Sequence, residues 1–229
     1  MSERGAAAPA PTRVLVVDDD AFVRRALLAV LDPEADVVGE ASDGSTAVRL
    51  ARELRPDVVL VDIEMPTMDG VEATRHLRDL ADPPAVVVLT NHLAGDVVAA
   101  ALRAGASGFL VKGAGRADLI AAVRAAHAGD AVLSMAVTQL LVDSMSFGAA
   151  SATQEWSAPL SPREREVAEA VASGMSNQEV ARCLHMSLST VKTNVSRVLA
   201  KLGLENRVQV ALVVHGVEAS ERALTERPR

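Results

Sequence analysis

Residues 57–70 read Asp57-Val58-Val59-Leu60-Val61-Asp62-Ile63-Glu64-Met65-Pro66-Thr67-Met68-Asp69-Gly70. The run Asp57–Val61 is short, Val-rich and almost continuously apolar, the pattern of a strand buried on both faces of a parallel sheet. It ends on a carboxylate, Asp62, and Gly70 then marks the boundary before a helical stretch, Val71–Leu80. The same unit recurs on either side. Strands are expected at Arg13–Val17, Asp36–Glu40, Ala85–Leu89 and Gly108–Val111, and helices at Ala21–Leu31, Ser45–Leu54, Asp96–Ala104 and Ala117–Ala128. Gly44, Gly95, Gly105, Gly129, Pro33, Pro56 and Pro83-Pro84 punctuate the turns. Five alternations over about 120 residues make a doubly wound α/β domain.

The composition supports more than one domain. The chain has 229 residues, 49% of them hydrophobic and only 2% aromatic, so its cores must be aliphatic. No apolar run approaches the roughly 20 residues that cross a bilayer. The single cysteine, Cys183, rules out an intramolecular disulfide and a cysteine metal cluster; it is expected to be a small buried residue in a cytoplasmic protein. The net charge of −7 is unevenly spread. Residues 1–150 carry 13 Lys/Arg against 21 Asp/Glu, while 151–229 carry 10 against 9. Within 187–207 four positive residues (Lys192, Arg197, Lys201, Arg207) face one negative, Glu205. An acidic half and a locally basic segment suggest two different machines.

The expected division is a disordered Ala/Pro-rich leader over 1–12, the α/β domain over 13–131, a linker over 132–158 with a short helix at Met135–Met145, a helical domain over 159–218, and a flexible tail over 219–229. Trp156 in the linker is a candidate to pack against either domain. In the helical domain, Ser161-Pro162-Arg163-Glu164 supplies an N-cap, a first-turn proline and a glutamate three residues after the cap, and Ser176-Asn177-Gln178-Glu179 repeats the device. A third helix is capped in Ser187–Ser189 and ends at Gly203; a fourth covers Asn206–Val217. Two short helices, a tight turn and a longer helix make a helix-turn-helix, here a four-helix all-α domain.

In a doubly wound sheet, ligands bind beyond the carboxyl ends of the strands. Here those ends carry Asp18-Asp19-Asp20, Asp62, Thr90 and Lys112. With strand order 2-1-3-4-5, strands one and three are neighbours and Asp18, Asp19 and Asp62 share one pocket. Crowded carboxylates raise each other's pKa and repel. A hard divalent cation resolves the conflict, and Mg²⁺ is the abundant one. One carboxylate is then able to attack phosphorus and form an acyl phosphate, with Thr90 and Lys112 contacting phosphoryl oxygens.

Residues 13–129 resemble the receiver domain of two-component response regulators. The match rests on Asp18-Asp19, the stretch from Val61 to Gly70, Leu89-Thr90, and Ser107-Gly108-Phe109-Leu110-Val111-Lys112. The resemblance implies a flavodoxin-like fold and Asp62 as phosphoacceptor for a sensor histidine kinase. It also implies Asp19 as metal ligand, Asp18 positioning the metal's water, and the carbonyl of Glu64 completing the ligands. Thr90 and Phe109 would form the switch. Phe109 stands where the family often has Tyr, the aromatic that swings inward; Gly113 replaces a frequent Pro, and Asn91 a small residue. Glu64 and His92, each two residues beyond a pocket residue, are placed to tune hydrolysis of the phosphoryl group.

In the third C-terminal helix Val191, Val195, Val198, Leu199 and Leu202 fall on one stripe. Lys192, Thr193, Ser196 and Ala200 face outward, with Arg197 and Lys201 beside them, suiting a helix that enters the major groove. Residues 160–215 resemble the LuxR-type helix-turn-helix, on Leu160–Val167, Gly174–Ala181, Ser189–Val195 and Leu199–Leu202. With the receiver this gives the NarL/FixJ subfamily. It implies double-stranded promoter DNA as partner, with contacts from Thr190, Lys192, Thr193, Asn194, Ser196, Arg197 and Lys201. Asn194 replaces a common His. The last helix has apolar residues to spare, so Val210, Val213 and Val214 are expected to pair a homodimer when phosphorylated or DNA-bound. The unphosphorylated receiver is expected to obstruct the C-terminal domain or its pairing. A phosphatase of the haloacid dehalogenase type would need an Asp where Glu64 stands, and a cap domain; the chain is therefore read as a transcriptional regulator and not as a turnover enzyme.

Overall fold

The computed structural model describes residues 10–91, 95–133 and 160–214. The expectations for Met135–Met145, Trp156, His92 and the C-terminal tail fall outside them. Six parallel strands, β1 (Thr12–Val17), β2 (Ala35–Ala41), β3 (Val58–Asp62), β4 (Ala85–Thr90), β5 (Gly108–Val111) and β6 (Val132–Leu133), form one sheet in the order β2-β1-β3-β4-β5-β6. The expected order holds. The first strand starts one residue earlier than expected, with Thr12 paired to Ala35, and an unanticipated two-residue β6 pairs with β5.

Successive strand residues point to opposite faces, so each strand feeds two cores. One face carries Leu15, Val17, Val59, Val61, Val86 and Val88, covered by α2 (Gly44–Leu54), α3 (Gly70–Arg78) and α4 (Gly95–Arg103). The other carries Val14, Val16, Val58, Leu60, Val87 and Leu89, covered by α1 (Ala21–Leu31) and α5 (Arg116–Ala128). All of these strand residues are buried. At about 1.5–3 kcal/mol for each fully buried aliphatic side chain, their burial contributes most to holding the strand tips in place.

The helical domain comprises α6 (Pro162–Ala172), α7 (Asn177–Cys183), α8 (Leu188–Leu202) and α9 (Arg207–Val214). Both expected capping boxes form: Ser161 with Glu164, and Ser176 with Glu179. Val167, Val171, Val180, Val191, Val198 and Val210 meet in a separate core. Two expectations fail here. Cys183 is exposed, because it falls just off the stripe that Val180, Ala181 and Leu184 turn inward. Val210 is 1% exposed within the domain's own core and is not a pairing surface; Val213 and Val214 remain half-buried. The apolar excess of α9 is used within the chain instead, since Val208 packs into the receiver-side core with Leu102 and Phe109.

The turn from β3 into α3 fixes the phosphoacceptor candidate. Gly70 donates its N–H to Ile63 O at 2.9 Å. A Cβ at Gly70 would lie 2.1 Å from Asp62 O and 2.8 Å from Ile63 Cα, both backbone atoms that cannot swing away. Gly70→Ala is expected to destabilise the α/β domain by about 1–3 kcal/mol, the usual cost of overpacking. A urea titration followed by circular dichroism measures this, and an unchanged midpoint would refute the close approach.

Candidate functional site

Parallel pairing sets Val17 of β1 opposite Val61 of β3, so the residues that follow, Asp18 and Asp62, emerge side by side. Asp18 is 0% and Asp62 4% exposed. Ligand oxygens of Asp18, Asp19 and Asp62 lie within 4.8 Å of one another. Lys112, delivered by the end of β5, stands between two of them, with Nζ 2.8 Å from Asp18 Oδ2 and 2.9 Å from Asp62 Oδ2. Thr90 closes β4, is 4% exposed, and its carbonyl accepts the Lys112 N–H at 2.8 Å. The four strand ends thus gather the residues that the sequence assigned to one pocket.

Three consecutive aspartates do three different things. Asp18 points inward to Lys112, and its other oxygen accepts the Asp20 N–H at 3.0 Å. Asp19 is exposed at the mouth. Asp20 is a helix cap, accepting the Phe22 N–H at 2.7 Å. Asp43 and Asp69 cap α2 and α3 in the same way. Glu64 is exposed and lines a cavity with Asp19, Asp62, Asn91 and Lys112, walled on its apolar side by Leu27 and Leu110.

Burial pushes the Asp62 carboxyl above its ordinary range, with the charge of Asp18 adding to the effect and Lys112 opposing it. For Lys112, burial works against the ammonium form, but hydrogen bonds and charge from Asp18 and Asp62 together outweigh it and leave the pKa raised. Lys112 therefore stays charged between its two partners.

The sequence reading missed Arg24. From α1 its guanidinium donates to the carbonyls of Asp18 at 2.8 Å and Asp19 at 3.3 Å and pairs with Glu40 at 3.4 Å, bracing the acidic turn. No local signal separates it from an ordinary helix arginine. Phe109 is fully buried, in one core with Val98, Ala101 and Leu102. A phenyl ring has no hydroxyl to hydrate, so burial is its favoured state. Gly113 has φ +91°, a conformation closed to proline, so the loop after Lys112 follows a path that the family's frequent Pro could not take.

On α8 the expected split is present. Val191, Val195 and Val198 are buried, while Thr190, Lys192, Thr193, Ser196, Arg197 and Lys201 are exposed. Asn194 is a correction: it is 8% exposed and donates back to Thr190 O at 2.9 Å, so it belongs to the packed side and not to the reading face. Lys201 pairs with Glu164 at 2.7 Å and ties α8 to the capping box of α6. That contact, foremost, holds the Glu164 carboxyl down at about 2.

Part of the exposed face of α8, at Lys192 and Ser196, borders the receiver. Lys192, Val195, Ser196 and Leu199 line a cleft with Asp57 and His127, and Lys192 Nζ reaches His127 O at 3.3 Å. Nearby, Arg207 pairs with Asp130 at 2.6 Å, and Asn177 donates to Asp130 Oδ1 and to Ala128 O, each at 2.8 Å. Asp130, Asn177 and Arg207 were also missed, since their partners lie on the other domain.

Comparison with known proteins agrees with this geometry. The response regulator receiver domain model matches residues 14–124, and the luxR family model of bacterial regulatory proteins matches 158–214. The chain is 39% identical over 206 residues to the transcriptional regulatory protein LiaR of Bacillus subtilis, covering 89% of this chain and 96% of that one. It is 37% identical over 207 residues to the nitrate/nitrite response regulator protein NarL of Escherichia coli, covering 90% and 95%. Among solved structures, the response regulator ChrA of a heme-sensing two-component system superposes with a TM-score of 0.50 at 35% identity, covering 92% of this chain and 99% of that one. With a receiver whose strand tips hold an acidic pocket and a LuxR-type helix-turn-helix behind it, the chain belongs to the NarL/FixJ subfamily of two-component response regulators and is a DNA-binding transcriptional regulator.

Proposed function

We propose that Asp62 accepts the phosphoryl group of a cognate sensor histidine kinase in the cytoplasm, and that this event frees α8 to read promoter DNA. The observation that carries the reading is the convergence of Asp18, Asp19 and Asp62, with Lys112 paired to Asp18 and Asp62. Three carboxylates with oxygens this close suit a hard cation that takes only oxygen ligands, and Mg²⁺ fits that donor set. Asp18, Asp19, Asp62 and the backbone carbonyl of Glu64 would hold it, and when bound it offsets negative charge on the pocket and the incoming phosphoryl group.

In the transfer, an Asp62 carboxylate oxygen forms a bond to phosphorus as the bond from phosphorus to the donor's imidazole nitrogen breaks. The imidazole leaves with the bonding pair. Lys112 already holds Asp62 Oδ2 by its ammonium, which keeps the second oxygen oriented and supplies positive charge next to the new acyl phosphate. The Thr90 hydroxyl, at the tip of the adjacent strand, orients a phosphoryl oxygen. Attack by water at phosphorus later restores the Asp62 carboxylate and releases phosphate, with Glu64 and Asn91 at the rim of its path. This resets a switch; it is not turnover of an external substrate.

For DNA, Lys192, Thr193 and Ser196 contact base edges while Thr190 and Arg197 position the helix on phosphates. Lys201 joins the phosphate contacts only if its bond to Glu164 is exchanged or shared. Lys192 and Ser196 line the cleft against the receiver, and Lys192 Nζ reaches His127 O at 3.3 Å, so the docked receiver competes with a duplex for this side of α8 and separation of the domains favours binding. Self-association on a two-fold site would run through Val213 and Val214 of α9.

Incubation with acetyl phosphate and Mg²⁺ followed by mass spectrometry is expected to give one phosphoryl adduct per chain. Asp62→Asn, or chelation of the metal, abolishes it; an adduct that survives Asp62→Asn would place phosphorylation elsewhere. On a duplex selected from a random pool by the phosphorylated protein, Lys192→Ala is expected to lose about 1–3 kcal/mol of binding. Its thermal unfolding should not change. Footprinting identical to wild type would remove Lys192 from the reading face.

A further inference from the structure

We infer that Asn206 and Gln209, at the start of α9, form a latch on the last turn of α4 that holds the two domains closed. This rests on the reading that domain separation gates DNA binding, and it names the contact that must break. The last carbonyls of any helix lack intrahelical partners. In α4 the Leu102 carbonyl accepts Gly105 N–H at 3.1 Å, and it also accepts two side-chain donors from the other domain, Asn206 Nδ2 at 2.8 Å and Gln209 Nε2 at 2.8 Å.

Each of these amides is divided between two helices. The Asn206 side-chain oxygen accepts Gln209 N–H at 2.9 Å, and the Gln209 side-chain oxygen accepts Glu205 N–H at 2.8 Å. The oxygens thus cap the N-terminus of α9 itself, while the NH₂ groups cross to α4. Chemistry fixes this orientation: a carbonyl only accepts and a backbone N–H only donates. The negative end of the α4 dipole therefore meets the positive end of α9, an arrangement that favours docking.

The latch also sits where a signal from the pocket would arrive. Asn206 is 5% and Val208 7% exposed, and Val208 shares a core with Leu102, Ala101 and Phe109. Phe109 follows Gly108 in β5, the strand paired with β4 that ends in Thr90. A shift of α4 that moves or unwinds its last turn removes the one acceptor that both amides use. Nearby, the Arg78 guanidinium donates to Glu205 O at 3.0 Å and reinforces the same junction from α3.

The division of labour within each amide permits a clean test. In the full-length protein, Asn206→Asp with Gln209→Glu keeps the capping oxygens of α9 but replaces both crossing donors with carboxylate oxygens that repel the Leu102 carbonyl. Without phosphodonor, this variant is expected to bind the selected duplex on the order of tenfold or more tighter than unphosphorylated wild type, given the modest net contribution of each lost hydrogen bond. Asn206→Ser, which keeps a capping oxygen and removes the donor without adding charge, should shift binding the same way by less. Circular dichroism checks that α9 is retained. If wild type tightens on phosphorylation but both variants remain as weak as unphosphorylated wild type, the latch is wrong and the gating stands. If wild type does not tighten on phosphorylation, the gating is wrong and the latch falls with it.

Discussion

A buried pair of like charges governs the receiver. Asp18 and Asp62 are both held out of water at neighbouring strand tips, and the ammonium of Lys112 bridges them. Removing a charge from water costs far more than a surface ion pair returns, so such a cluster persists only where surrounding packing leaves no alternative. Here the alternative is closed off by valines on both faces of β1 and β3, by Gly70 against the Asp62 carbonyl, and by Arg24 on the carbonyls of the acidic turn. A phosphoryl group adds charge to the most crowded point of the domain. On the proposed function, this is how chemistry at one carboxylate would reach helices that do not touch it.

The helical domain, for its part, uses the same surfaces twice. Its reading helix commits Lys192 to a receiver carbonyl when closed, and α9 commits Val208 to the receiver core and its capping amides to α4. On the proposed function, part of the surface needed for DNA is thus also the surface that meets the receiver.

Period and punctuation made most of the fold legible. Short apolar, mostly Val-rich runs specified five strands, and Ser-x-x-Glu specified the starts of two helices, because both signals are local; the strand order came from the resemblance to the receiver family and not from the runs themselves. The pocket was legible for the same reason: strand-end residues converge once the sheet order is known. What escaped was set by tertiary neighbours. Arg24, Asp130, Asn177 and Asn206 look like ordinary surface residues until the distant carbonyl or carboxylate is placed beside them. Asn194 and Val210 were misassigned for a related reason. The width of a buried stripe on a short helix depends on how closely its neighbours approach, and the Asn194 amide was able to turn inward by bonding its own helix.

On the proposed function, the closed form has to be stable enough to silence and weak enough to release. Moving a two-state equilibrium from mostly closed to mostly open takes about 5.5 kcal/mol of differential interaction. Individual hydrogen bonds of the kind made by Asn177, Asn206 and Gln209 contribute about 0.5–1.5 kcal/mol each. A handful of them, with one largely buried ion pair between Arg207 and Asp130, falls on that scale. An interface built instead from a broad apolar seam would overshoot it, and phosphorylation at a single carboxylate could not open the protein. On the proposed function, the polar, carbonyl-seeking character of the domain contact suits a reversible switch, and among the described residues Val208 is the helical-domain side chain that enters the receiver's apolar core.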